Sequence, residues 1–244
     1  MNRSKFLPQR RKDARGQRIV EKYLKKSLSY AEYVKLIDDL LLEGKTTGTN
    51  QSYAMFNYGK LNRQRMHRLE KTVTLEPETV FSIRSLDVKW IWLVITEGWC
   101  GDAAQNIPII EKIVAENPGI ETRYILRDEN LDLMDQYLTN GARSIPKLIA
   151  LDADTLEVLG TWGARPKAAQ ELFYQLKEQG IEKPQIMERL QRWYNNDHSR
   201  SIQREFREVT AEWAEESRGS RDSLGSQDSL GSRGSLKSLE SLAG

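Results

Sequence analysis

Residues Lys89–Ala104 read KWIWLVITEGWCGDAA, and this stretch decides the fold. Its first half, Trp90–Ile95, is continuously apolar, which is typical of a strand buried on both faces. Apolar residues at helical spacing follow the stretch, so a helix begins close to its end. We therefore predict that Cys100, the only cysteine in 244 residues, lies where a buried strand ends and a helix begins.

Length and charge exclude several classes of protein. A chain of 244 residues is long enough for one good core with appended pieces. Lys and Arg number 37 against 35 Asp and Glu, so the overall charge requires neither a nucleic acid nor a membrane partner. A single cysteine excludes an internal disulfide and fits a reducing compartment. The basic N-terminus has no apolar segment typical of a secretory signal, so we expect a cytoplasmic location.

The two ends of the chain are unlike the rest. Residues 1–27 hold ten Lys and Arg against two acids, and we predict a basic, partly disordered arm. The arm has no known nucleic-acid motif, so the sequence does not favour nucleic acid as its partner, although an anchor for a polyanion stays an alternative. In residues 217–244 serine recurs at every third position within polar hexapeptide repeats. We predict a disordered, Ser-rich tail whose serines beside arginines are candidate phosphorylation sites.

Residues 28–88 are predicted to form an N-terminal helical extension. Ser29 and Glu32 have the spacing of a capping box, which indicates a helix start. Gly44-Lys45-Thr46-Thr47-Gly48 resembles the end of a phosphate-binding loop, but the required earlier glycine is absent, so we interpret it as a turn between helices. A second helix, capped by Thr49 or Asn50, is predicted as far as about residue 71, and a short one over Glu76–Leu86.

Residues 89–180 alternate between strand and helix patterns, in the order β-α-β-α-β-β-α. This order predicts a parallel sheet that ends in an antiparallel hairpin, and two further helices are predicted within residues 181–216. The predicted elements of residues 89–180 are strands at Trp90–Ile95, Thr122–Leu126, Lys147–Leu151 and Glu157–Thr161, and helices at Ala103–Asn117, Leu131–Thr139 and Pro166–Gln179.

Three short motifs within Lys89–Gly180 carry a family resemblance. Trp99-Cys100-Gly101-Asp102 after a buried strand resembles the active-site loop of the thioredoxin family. Ser144-Ile145-Pro146 before a strand is similar to its cis-proline turn, and Gly160-Thr161-Trp162-Gly163 to its last-strand glycine region. The resemblance implies an α/β, thioredoxin-like fold, in which a central mixed sheet is flanked by helices, here with N-terminal and C-terminal helical extensions.

A narrower resemblance covers most of residues 28–200. The chain is similar to a bacterial group of thioredoxin-like proteins with a Trp-Cys-Gly-Asp-Ala-Ala-Gln loop. In that group Gly-Lys-Thr-Thr-Gly and Arg-Met-x-Arg-Leu precede the domain, and here they stand at Gly44–Gly48 and Arg65–Leu69.

The predicted site centres on Cys100. A thiol at a helix N-terminus meets unpaired backbone N–H groups and the positive end of the helix dipole, which favour thiolate, whereas Glu97 and Asp102 oppose it. The resemblance implies that Cys100 is a nucleophilic thiol. Asp102 is interpreted as a helix-start acid or as a proton relay. The substrate-binding residues that the resemblance implies are Trp99, Gly101, Ile145, Pro146 and Gly163.

Two residues differ from the family pattern, and both limit the thiol chemistry that is possible at Cys100. Ala103 stands where the family has its second cysteine, and Val94 where it usually has a buried acid. A mixed disulfide at Cys100 must then be resolved by an external thiol. We predict thiol–disulfide exchange of this monothiol kind, and whether the protein is an enzyme depends on the reactivity of Cys100. The alternatives are a redox-inactive thioredoxin-fold protein-interaction module and, less favoured, an iron–sulfur site shared between two chains.

The hypothesis of monothiol exchange also predicts the partners of the protein. Under the exchange hypothesis the partner is a client protein disulfide or a small thiol. No cofactor is expected apart from a low-molecular-weight thiol as co-substrate. No metal site is expected either, because the two histidines, His67 and His198, belong to no cluster with ligand spacing.

Overall fold

The computed structural model describes residues 20–235, with side chains as far as residue 219. Most of the predicted basic arm therefore lies outside the described residues, as does the end of the tail. The helices are α1 (Tyr30–Leu42), α2 (Tyr53–Thr72), α3 (Pro77–Arg84), α4 (Gly101–Val114), α5 (Leu131–Met134), α6 (Lys167–Glu178), α7 (Lys183–Asp197) and α8 (Arg200–Ser235). The strands are β1 (Trp90–Thr96), β2 (Ile120–Leu126), β3 (Lys147–Asp152) and β4 (Val158–Gly163).

The four strands form one mixed sheet in the order β2-β1-β3-β4. β1 pairs with β2 in parallel, whereas β1 with β3 and β3 with β4 are antiparallel. The prediction of a mainly parallel sheet was therefore wrong for β3. The link from β2 to β3 starts and ends at the sheet edge where β1 also ends, since Ile95 pairs with Lys147. Strand β3 then has to run back along β1 in the opposite direction.

Local signals explain where several helices begin and end. The Ser29–Glu32 capping box is present, as predicted. The second helix is capped by Ser52 and not by Thr49 or Asn50, because the Asn50 side chain accepts a hydrogen bond from the backbone of Ser52 instead. The predicted helix Leu131–Thr139 shortens to the single turn α5, because the backbone N–H groups of Gln136 and Tyr137 bond to oxygens three residues back and not four.

Aromatic side chains attach the last helix to the sheet. Trp213 of α8 meets Trp92 edge-on at a centroid distance of 5.8 Å, and Phe206 lies 5.3 Å from Trp92 and 5.2 Å from Trp162. All four side chains are at least nine-tenths buried. Helices α6 and α7 instead pack on each other around a separate small cluster that contains Leu176 and Leu190. The C-terminal helices are thus integral to the fold.

The last helix continues beyond its predicted end near residue 216. Its backbone is helical to Ser235, and the buried Ser217 donates a hydrogen bond to Asp152 of β3 at 2.8 Å. The first repeats of the Ser-rich tail therefore extend a helix that is held to the sheet at Ser217. The predicted disorder of residues 217–244 is not confirmed, and residues 236–244 lie outside the described residues.

The first testable prediction concerns the docking of α8 on the sheet. A Cβ added at Gly160 of β4 would lie 2.0 Å from Nε1 of Trp213. We expect Gly160→Ala to lower the free energy of unfolding by about 1–3 kcal/mol, as overpacking does. Urea denaturation followed by tryptophan fluorescence measures this change.

Gly219→Ala is the matched control, because a Cβ there meets no atom within 4 Å and alanine favours the helix. Equal stability of the Gly160→Ala and wild-type proteins would contradict the docking of Trp213 on Gly160.

Candidate functional site

Cys100 caps the N-terminus of α4, at the end of the loop that follows β1. Its Sγ accepts a hydrogen bond from the backbone N–H of Ala103 at 3.4 Å, as a helix-capping side chain does. The thiol in turn donates to the backbone oxygen of Ile145 at 3.3 Å. Only 7% of Cys100 is exposed, so the predicted strand-to-helix position is correct but the thiol is covered.

The turn that faces Cys100 is built from Ile145, Pro146 and Gly163. The peptide bond between Ile145 and Pro146 is cis. Gly163 at the end of β4 has φ +117°, and a Cβ there would lie 2.2 Å from the oxygen of Pro146. Glycine is required at this position because of both the backbone conformation and the close approach. Ile145 and Pro146 are themselves buried, so the turn presents little open surface to a substrate chain.

The N-terminal extension covers the loop from one side. Thr47 accepts a hydrogen bond from the backbone N–H of Gly98 at 2.8 Å, and the Asn62 amide donates to the oxygen of Gly98 at 3.4 Å. Asn62 also receives a bond from Arg65 at 2.9 Å, and both side chains lie about 4 Å from where a Cβ on Gly101 would be. The Gly-Lys-Thr-Thr-Gly segment therefore forms a turn between two helices, as predicted, and this turn holds the active-site loop.

The C-terminal half covers Asp102 from the other side. The Asp102 carboxylate forms an ion pair with Arg165 in which both side chains are only about a tenth exposed. Its other oxygen accepts a hydrogen bond from the hydroxyl of Tyr194 at 2.9 Å, and Asn106 donates to that hydroxyl at 3.0 Å. Because both carboxylate oxygens are engaged, Asp102 joins α4 to the β4–α6 connection and to α7. Its predicted role in proton relay stays a prediction.

Burial dominates the electrostatics of the thiol. It raises the pKa of Cys100 to about 12, and the charge on Asp102 acts in the same direction. The backbone N–H groups of Ala103 and Asp102, together with the charge on Arg165, lower it by smaller amounts. The helix N-terminus thus acts as the sequence analysis expected, but loss of water around the sulfur outweighs it. The Cys100 thiol is protonated at neutral pH.

A second buried acid lies in the same loop. Glu97 is fully buried, and one of its oxygens accepts a hydrogen bond from the backbone of Asp128 at 2.8 Å. The other oxygen has no hydrogen-bond partner among the described residues. Burial raises the pKa of Glu97 to about 7, against smaller opposing effects of Thr47 and the Asp128 backbone. This carboxyl group therefore changes charge near neutral pH.

Trp99 is the part of the loop that remains half-exposed. The guanidinium of Arg127 stacks 4.8 Å from the centre of its ring, a favourable cation–π distance. A cleft of about 530 Å³ runs beside Trp99, and Met55 and Leu131 also line it. We define the Trp99 surface as Met55, Trp99, Arg127 and Leu131.

The structure brings the predicted site residues together around one loop. Cys100 contacts Ile145, and Gly163 packs against Pro146, whereas Trp99 lines the cleft of the Trp99 surface. Sequence reasoning missed the side chains that close the site. They are Thr47, Asn62, Arg65, Arg165 and Tyr194. The first three lie in or beside the two motifs shared with the bacterial group, which was the available signal. Tyr194 is one of the aromatic residues that could dock the C-terminal helices on the core, but nothing in the sequence placed it or Arg165 at this site.

A family model described as thioredoxin matches residues 48–179, more than half of the chain. The chain belongs to the thioredoxin family. The mixed sheet flanked by helices agrees with the thioredoxin-like fold that the sequence predicted. The narrower assignment, to the bacterial group with a Trp-Cys-Gly-Asp-Ala loop, stays a prediction.

The similarity to a solved structure supports the fold of this chain and nothing about its function. A protein of unknown function from Pseudomonas aeruginosa is 16% identical, with a TM-score of 0.54, over 78% of this chain and 96% of its own. An HIV epitope-scaffold is 18% identical, with a TM-score of 0.48, over 75% of this chain and 98% of its own. No curated protein matches the chain.

The described part of the chain shows neither a metal cluster nor a membrane span. No three His, Cys, Asp or Glu side chains among residues 20–219 come together in a way that could hold a metal ion. No helix within the described residues is long and apolar enough to cross a membrane.

The second prediction concerns the pH dependence of stability. Glu97 has a folded pKa of about 7 against an ordinary value of 4.5, so the folded state holds its proton longer than the unfolded state. Stability should therefore fall as the pH rises from about 4.5 to about 7, by about 3 kcal/mol in total. We expect Glu97→Gln to flatten this slope. Urea denaturation at a series of pH values measures it.

Glu178→Gln is the control for that experiment, because it removes an exposed carboxylate outside the site. An unchanged slope in Glu97→Gln would show that Glu97 is not the titrating group.

The third prediction concerns the thiol itself. Asp102→Asn removes a negative charge that raises the pKa of Cys100 and leaves the positive Arg165 in place. The pKa of the thiol should therefore fall below its wild-type value. Iodoacetamide alkylation rates measured against pH give that midpoint separately from any change in access.

Asp154→Asn, which alters an exposed acid of the β3–β4 turn, should leave the alkylation midpoint unchanged. A midpoint in Asp102→Asn equal to or above that of the wild type would refute the electrostatic account.

Proposed function

We propose that the protein is a non-catalytic, thioredoxin-fold protein-interaction module in which Cys100 is a structural thiol. The observation that carries this proposal is the state of Cys100, which is buried, bonded to Ile145 and held protonated by a pKa of about 12. A nucleophilic cysteine needs the opposite, since the thiolate attacks and must reach its partner. The absence of a second cysteine is consistent with this reading.

The binding surface of such a module is the Trp99 surface. The groove beside Pro146 that the family resemblance favoured is largely closed, because Ile145 and Pro146 are buried and the oxygen of Ile145 already accepts the Cys100 thiol. The Trp99 surface instead offers a half-exposed aromatic ring beside an arginine, the residue types that dominate binding energy at protein interfaces. The proposed partner is a client protein in the cytoplasm.

Monothiol exchange is the second candidate, and one observation favours it. Sγ of Cys100 lies on the first backbone N–H groups of α4, which stabilise a thiolate. For exchange, the segments that cover the loop would have to withdraw so that water reaches the sulfur. One external thiol would then attack the Cys100 sulfur of the mixed disulfide, releasing the client as a thiol and leaving the external thiol bonded to Cys100. A second external thiol would attack that new disulfide, so that the two external thiols leave as their own disulfide and Cys100 is released as a thiolate. The buried position of Cys100 gives no support to an iron–sulfur site shared between chains.

The fourth prediction separates the two candidates. In reduction of bis(2-hydroxyethyl) disulfide by glutathione, we expect the wild-type protein and Cys100→Ser to give the protein-free rate. A second series of measurements uses dithiothreitol in place of glutathione, which tests whether Cys100 exchanges with a different external thiol. A wild-type rate well above that of Cys100→Ser in either arm would contradict the structural-thiol proposal and establish monothiol exchange.

The interaction proposal has its own measurement. Client proteins captured by the tagged full-length chain in its own cells should be the same for Cys100→Ser as for the wild type, and should be lost in Trp99→Ala. Leu138→Ala, an exposed apolar residue outside the Trp99 surface, is the matched control. Loss of capture in Cys100→Ser with retention in Trp99→Ala would place the binding function at the thiol instead.

A further inference from the structure

A second cavity, separate from the Trp99 surface, lies where the N-terminal and C-terminal extensions meet. It has a volume of about 610 Å³, within the usual range for small-molecule sites. Its walls come from α2, from α4 and from the turn between α7 and α8. The polar residues of its lining include Arg65, Arg68, Gln105, Asp197, His198 and Ser199.

Two arginines on one wall of the cavity lack acidic partners. Arg65 and Arg68 are three residues apart on α2, and neither has a carboxylate within 4.0 Å among the described side chains. Arg63 on the same helix, by contrast, pairs with both Asp38 and Glu70. Burial and the positive charge of Arg68 both lower the pKa of Arg65, because the two guanidinium groups repel each other. An anion in the cavity would relieve that repulsion.

A buried donor that also lines the cavity is unsatisfied. Gln105 of α4 is 5% exposed, and its side-chain amide nitrogen has no acceptor among the described residues. Such orphaned buried donors are uncommon in folded proteins, and a bound ligand is one way to satisfy them. The lining thus includes two cations without an acidic partner and one donor without an acceptor among the described residues.

The remaining charges set the size of the anion. The titratable groups that line the cavity are Arg65, Arg68, Tyr194, Asp197 and His198. Asp197 is held by the backbone and hydroxyl of Ser201, whose N–H donates to it at 3.1 Å. The two arginines outnumber the one carboxylate by one charge, which a single negative charge on a ligand balances.

Apolar residues also line the cavity. Leu69, Val73, Pro166 and Ile202 lie in its wall beside polar residues such as Thr72, Gln191 and Asn195. A ligand that contacts these four apolar residues would carry an apolar part as well as its charge. We propose that this cavity binds a small amphipathic monocarboxylate, with Arg65 and Arg68 holding the carboxylate.

The proposal assigns a role to both arginines of the Arg-Met-x-Arg-Leu motif at Arg65–Leu69. In Arg65-Met66-His67-Arg68-Leu69, the buried Met66 and Leu69 attach α2 to the core. Arg65 and Arg68 line the cavity from the same helix. In this motif, residues that attach the helix to the core therefore alternate with the arginines proposed to bind the ligand. The proposal does not rest on the interaction function, because the cavity does not include Trp99 or Cys100, although it shares Arg65 and Tyr194 with the surroundings of Cys100 and Asp102.

The test uses the full-length chain and named probes. Hexanoate and phenylacetate should each raise the thermal unfolding temperature in a saturable way, because a ligand that binds only the folded state stabilises it. The neutral alcohols 1-hexanol and benzyl alcohol should not, and inorganic phosphate should have a smaller effect than either carboxylate. A larger effect of phosphate would overturn the monocarboxylate class, and no effect of either carboxylate would overturn the site.

Variants assign any binding to the arginines. Isothermal titration should show that Arg68→Gln weakens carboxylate binding by about tenfold or more, since a charge-assisted hydrogen bond is lost. Arg68 is exposed, so this variant should fold normally, and Arg65→Lys provides a second variant that keeps the charge but loses the planar fork. Arg192→Gln, an exposed arginine of α7, is the charge-matched control. Equal affinity in Arg68→Gln and Arg192→Gln would overturn the proposal.

Discussion

The packing of α2 against the active-site loop is the constraint on which the rest of the site depends. Thr47 and Asn62 each hold one backbone group of Gly98, so the loop is fixed from outside the sheet as well as by the strand that precedes it. The loop held in this way ends at Cys100, which is only 7% exposed. Because desolvation of a thiolate is costly, burial keeps the sulfur protonated.

Two opposite charges beside the loop act on the sulfur. Asp102 raises the pKa of Cys100 and Arg165 lowers it by less. Their ion pair, with the hydrogen bond from Tyr194 to Asp102, connects three segments that are distant in sequence. Glu97 is buried with a pKa near 7, so it loses most of its charge just below neutral pH. An apolar Val94 occupies the position where the family usually has a buried acid. The interior behind the loop is therefore a medium of low polarity, which favours the neutral form of the thiol.

The sequence was sufficient for the fold and for the place of the thiol, but not for its environment. The apolar run after Lys89 and the turn at Pro146 are local patterns, and each predicted its element correctly. The direction of β3 depended on where the β2–β3 link begins and ends, and the length of α5 on backbone hydrogen bonds of residues 136 and 137 that the helical pattern did not reveal. The loop before Cys100 is held by Thr47 and Asn62, whose contacts with Gly98 cross 51 and 36 residues of sequence. No periodicity or motif spacing carries that kind of information.

Loss of the second cysteine fits this environment in a physical way. Ala103 is buried, and its backbone N–H is the donor that caps Cys100, so the position has a structural role that needs no sulfur. A dithiol site requires that a client disulfide reach the first cysteine, and here Cys100 is only 7% exposed. While the thiol stays covered, a resolving cysteine would have no mixed disulfide to resolve. The loop can then be retained for the position that it gives to Trp99, which is partly exposed while Cys100 is buried. On this reasoning the large side chain of the inherited loop that still faces solvent is its tryptophan.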